Sequence, residues 1–258
     1  MIAQFALRLL CGISGMWLLM PRRAVSSGFF RIQMLLGLGL GVLAALTASM
    51  PASGESHALL GITSTRILSG VLAVAAFAGS VLWTLERRRA GTVLAAIVFV
   101  VSLTLLTVGL PTPTIGTPSS TPAWMARGVD VTSAGILGTS MTAMLLGHWY
   151  LTSPTMALGV LVRLNVYYGI AVFARAAIAA LGLAGGWEHL HGGLPLVWLI
   201  FRWTAGLIGP AIACYMVANI LKYKNTQSAT GVLFGSVILI FIGELLAVLL
   251  TRELQYPM

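Results

Sequence analysis

Eight separate stretches of this chain, each close to 20 residues or longer, hold almost nothing that would keep them in water. They cover 2–20, 29–50, 66–85, 91–110, 132–151, 156–183, 194–220 and 229–250. A helix of about 20 apolar residues matches the roughly 30 Å hydrocarbon core of a bilayer. Lipid offers backbone amides no hydrogen bonds, so a chain that crosses it forms helices or a closed barrel. The apolar runs are continuous rather than alternating with period two, which argues against a barrel. Only 8% of the 258 residues are charged and 58% are hydrophobic, whereas a soluble domain carries about 25% charged residues. The expected fold is all-α: a polytopic transmembrane bundle of about eight helices, one integral-membrane domain over 1–258.

Charge sets the threading. The formal net charge is +9, which in a soluble protein would point to nucleic acid. Here the basic residues act as topology signals and lipid-headgroup contacts, and no nucleic-acid partner is expected. "PRR" (Arg22, Arg23) follows the first run, "ERRR" (Arg87, Arg88, Arg89) the third and "KYKN" (Lys222, Lys224) the seventh. The opposite loops hold Arg127, with Arg66 at a helix edge. Lys and Arg concentrate in cytoplasmic loops, so both termini are expected outside. The first run lacks a small-residue cleavage site and reads as a retained helix, not a signal peptide.

Helix sets 1–110 and 132–250 are joined by a Pro/Thr/Ser-rich extracytoplasmic loop, 111–131, and show no similarity to each other. Such a long loop suits a lid, a docking surface or a simple linker. Gly37, Gly39 and Gly41, and the GxxxG pair Gly231 and Gly235, are expected to allow close helix packing. Pro210 lies inside the seventh run, where it removes a backbone donor and should kink the helix. Cys11 and Cys214 both fall in apolar runs, with no CxxC or CxxCH to indicate a disulfide framework or attached haem.

Three groups of residues are candidates for chemistry. "GHWYLTSP" places His148, Trp149 and Tyr150 at the cytoplasmic end of the fifth helix. An interfacial anchor explains the two aromatics. The functional alternative has His148 serving a quinone carbonyl, a proton relay or haem iron, with Arg31, Arg163 and Tyr167 or Tyr168 on the same side. The remaining histidines, His57, His189 and His191, are extracytoplasmic. His189 and His191 form an HxH pair able to bind zinc or copper. A bis-histidine haem b needs two ligands at matching depth, and only His148 lies firmly inside a helix. The third group is a layer of charge: Arg8, Arg175, Arg202 and Glu244 all fall about 9–12 Å below the outer helix edges at 1.5 Å per residue. Charges at that depth normally face a partner or a wet cavity. Glu244 is expected within ion-pair reach of Arg175 or Arg202. Three guanidiniums against one carboxylate leave positive charge for a carboxylate, a phosphate or a polar quinone head.

Eight helices with both ends outside resemble the membrane anchor of DMSO reductase and the related NrfD-type quinone-interacting subunits. "IGELLAVLL" around Glu244 is similar to that family's last helix, with its Gly-Glu-Leu triplet. His57 falls roughly where the family places a histidine implicated in menaquinol binding. The family's later Arg and its His-Leu-Gly-x-Pro pattern are not reproduced. The resemblance implies a bacterial cytoplasmic (inner) membrane location and partners among other membrane or extracytoplasmic subunits of an electron-transfer complex. The alternatives are a secondary transporter of a small anion or amphiphile, using Arg175 and Arg202 as counter-charges, and an accessory subunit without chemistry. No P-loop, HExxH or GxSxG is present, which disfavours a self-contained ATPase or hydrolase.

Overall fold

A computed structural model describes residues 1–48, 61–109, 123–153, 156–187, 192–254 and 256–257. Among them no strand occurs. Eight helices are long and apolar enough to cross a membrane. They are α1 (Ile2–Leu19), α2 (Ser27–Thr47), α3 (Ile62–Thr84), α4 (Arg88–Gly109), α5 (Ala123–Thr152), α6 (Gly159–Gly186), α7 (Gly193–Lys222) and α8 (Thr226–Leu254). The chain divides into two compact units, Met1–Thr114 with Thr155–Val160, and Ile115–Pro154 with Leu161–Met258.

In the first unit, α1 packs on α2 and α4, and α3 on α2 and α4, so the four helices close into a ring. Pro21 stops α1, and the preceding Met20 is extended at φ −75°, ψ 137°, as a residue before proline prefers. The α3–α4 turn, residues 85–87, is shorter than the α1–α2 turn, residues 20–26. Glu86 takes a left-handed φ of 55°, and Arg88 N–H donates to its carbonyl at 2.8 Å. Two glycines on one face of α2 set the spacing. A methyl on Gly41 would lie 3.0 Å from the Ala73 nitrogen, and one on Gly37 would lie 3.0 Å from the Trp17 ring. Gly39 faces open space instead.

In the second unit, α8 packs against both α5 and α7. Asn225 caps α8 by accepting from Ser228 N–H at 3.0 Å, which starts the helix at Thr226 and not near 229. At the other end of α8, Leu250, Leu254 and Tyr256 form an apolar core with Met125 of α5 and Leu199 of α7. Ahead of Pro210, α7 contains a π segment, Thr204–Ile208. The backbone donor that proline lacks is absorbed there, within a helix that continues to Lys222.

Two expectations are corrected. The fifth helix begins at Ala123 and not at 132, so Arg127 and Asp130 are helical residues and not part of the loop 111–131. Isolated charges near a helix start do not end it. Among the described residues the pair Gly231 and Gly235 makes no close helix contact, for no neighbouring element lies within 4 Å of a methyl at either position. GxxxG spacing places two glycines on one face, and here that face is exposed.

Candidate functional site

The charge layer of the second unit is built by three helices around one carboxylate. Arg175 of α6 donates from Nε to Glu244 Oε1 at 2.9 Å. Nη2 of Arg202, on α7, stands 3.2 Å from the same oxygen. Ser133 of α5 donates its hydroxyl to Oε2 at 2.6 Å. The exposures of Arg175, Arg202 and Glu244 are 0%, 2% and 1%, so the cluster is closed. Each of these residues lies about 13–17 Å inside its helix, measured from the same end of the unit.

Bare glycine backbone brings α7 close enough for Arg202 to reach. A methyl on Gly206 would lie 2.7 Å from the Gly243 Cα and 2.8 Å from Arg202 Nη1. A methyl on Gly243 would collide with the Gly206 Cα. Gly243 precedes Glu244 directly, and Gly206 sits in the π segment. The helix crossing and the ion cluster are therefore one construction.

Asp130 and Ser133 were not singled out from the sequence. Asp130 is buried one turn before Ser133, on the same face of α5. Its carboxylate raises the buried acids among the described residues of this unit to two, against Arg175 and Arg202. The expected surplus of three guanidiniums over one acid is accordingly smaller. The i, i+3 spacing of Asp130 and Ser133 would have revealed the face, had the helix start been placed before them.

A second polar set lies farther along the same helices. The Tyr168 hydroxyl donates to the Pro210 carbonyl at 3.0 Å and pairs with the Ser236 hydroxyl. Asn165 Nδ2 donates to the Cys214 carbonyl at 3.1 Å, and Cys214 Sγ points to the Asn165 carbonyl at 3.5 Å. These ties clamp α6 to α7 and to α8. Between the two polar sets the helices part into an apolar groove of about 360 Å³. Gly169, Val172, Phe173 and Ala176 line one wall, and Trp203, Leu207, Ile208, Ala211 and Cys214 the other. Phe173 and Ile208 on its rim are exposed.

Arg8 is buried in α1, in the first unit, and Arg31 is exposed on α2 of that unit. His148 and Arg163 are exposed and Tyr167 is half-buried. Among the described residues no hydrogen bond or ion pair links these three. His148 stands four residues before the last residue of α5, beside the half-buried Trp149, an arrangement suited to an interfacial anchor. His57, His189 and His191 lie outside the described residues. Among those described, no three His, Cys, Asp or Glu side chains gather to hold a metal. No protein-family model, curated protein or solved structure matches the chain.

Proposed function

We propose that the chain is a membrane-embedded subunit of an electron-transfer complex, with both termini extracytoplasmic, and that its second unit holds an isoprenoid quinone. The observation that carries this reading is the α6–α7 groove and its position beside the ion cluster. Ala176 and Trp203 line the groove, while their neighbours Arg175 and Arg202 turn to Glu244 on the other side. The groove takes the apolar tail. Arg175, Arg202 and Glu244 are positioning residues that hold α6, α7 and α8 so that the groove keeps its shape. Ligand sites of this kind are mostly apolar, with few polar groups. The loop charge bias supports the orientation, and the eight-helix count and Gly-Glu-Leu triplet support the complex.

A second reading, an accessory subunit without chemistry, draws on the closure of the cluster, whose three charged side chains are at most 2% exposed. Quinone extraction separates the two. Protein purified from native membranes in mild detergent should carry quinone in its organic extract. Ala176→Phe, which fills the groove, should lower that content at least fivefold with unchanged thermal unfolding. Wild-type protein without quinone, or an Ala176→Phe protein with full content, would leave the accessory reading.

A further inference from the structure

We propose that the two arginine-rich turns of the first unit form one surface that binds the phosphates of anionic phospholipids. The α1–α2 turn brings Arg22 and Arg23, the α3–α4 turn and the start of α4 bring Arg87, Arg88 and Arg89, and the first turns of α2 bring Arg31. All six are exposed. Glu86 is the only acid on either turn.

The turns form a single platform. Arg88 Nη1 donates to the Arg22 carbonyl at 3.0 Å, which joins them across 66 positions of sequence. Beneath, Phe30 of α2 stacks on Trp83 of α3 with ring centroids 4.3 Å apart and an interplanar angle of 15°. Gly91 admits that indole against α4, for a methyl there would lie 2.8 Å from its Nε1. The guanidiniums therefore project from a packed base. The opposite end of this unit behaves differently: the exposed Arg66 is tied down, donating from Nε and Nη2 to the Ala48 carbonyl at the end of α2.

The position favours lipid over an acidic protein. The platform lies where four membrane-crossing helices end, the level at which headgroup phosphates lie. Arg31 is already on the fifth residue of α2, and its neighbours Ile32 and Leu35 are exposed at 50% and 41%. A guanidinium flanked by lipid-facing aliphatic side chains reaches up to phosphate along the bilayer surface. Guanidinium and phosphate also match as bidentate partners.

The test titrates the purified full chain, in neutral detergent, with phosphatidylglycerol or phosphatidylcholine, and counts retained lipid by native mass spectrometry. Wild-type protein should prefer phosphatidylglycerol. Replacing Arg22, Arg23, Arg87 and Arg89 by Gln should weaken that binding by about tenfold or more, since each basic residue near a charged surface contributes roughly fivefold. Arg88 is kept because it holds the turns together. Lys222→Gln with Lys224→Gln, on the second unit, should weaken binding less than the arginine variants do and keep phosphatidylglycerol preferred. Should the fourfold variant fail to insert, Arg23→Gln with Arg89→Gln gives a smaller loss to measure. The proposal is overturned if wild type binds both lipids alike, or if the arginine variants keep the preference. Loss of an acidic protein partner with phosphatidylglycerol binding intact would also overturn it, as the surface would then serve protein.

Discussion

Glu244 accepts from Ser133 on one oxygen and meets two guanidiniums on the other, so its charge sets the energetics of the second unit. Breaking a buried pair strands the remaining charge at a typical cost of about 3–5 kcal/mol. Glu244→Gln should therefore lower stability by about that much in thermal or denaturant unfolding of the purified protein. Ser133→Ala removes a single hydrogen bond to the carboxylate and should cost about 1.5–3 kcal/mol. Glu253→Gln, on an exposed position of the same helix, should be silent. The Glu244 contacts were legible from depth alone, because helices of known rise put Arg175, Arg202 and Glu244 in one slab. Asp130 was not legible, since a charge just ahead of an apolar run reads as the edge of a loop. Nothing in the sequence says that Ser133 occupies the second carboxylate oxygen, a matter of side-chain geometry across 111 positions.

At the scale of elements, two glycines on different helices matter more than two on the same one. Gly206 and Gly243 cross backbone to backbone, with Arg202 alongside. A methyl at Gly243 has no room, and small-to-large changes in packed sites typically cost about 1–3 kcal/mol. Gly243→Ala should destabilise at least that much and loosen the Arg202–Glu244 contact. Gly235→Ala, on an exposed face of the same helix, should be neutral or slightly stabilising because alanine favours helix. Thermal unfolding of the two variants side by side checks this. The apolar runs announced the helices, since length and continuity are local properties. Which glycine faces a neighbour, and where α6 and α7 part into a groove, depend on tertiary packing that no spacing rule carries. Pro210 was legible as a disturbance, but its form, a π segment two to six residues upstream of it, was not.

For the whole molecule, the loop charges make a topological prediction. With Cys11 and Cys214 replaced by alanine, a membrane-impermeant maleimide should label Gly193→Cys in intact cells. Arg89→Cys should react only after permeabilisation. The reverse pattern would invert every side assignment. Composition made the membrane setting legible because a chain with 8% charged residues cannot wet its own surface. Function was less legible: no catalytic motif is present, and the proposed quinone tail would be recognised by shape, which leaves little trace in residue spacing. The central claim, a membrane subunit of an electron-transfer complex, is tested most directly by its company in native membranes. After mild-detergent extraction and affinity capture, mass spectrometry and visible spectra should reveal co-purifying subunits that carry iron–sulfur, molybdenum or haem centres. Capture of the chain alone, stably folded and free of redox subunits and quinone, would contradict it.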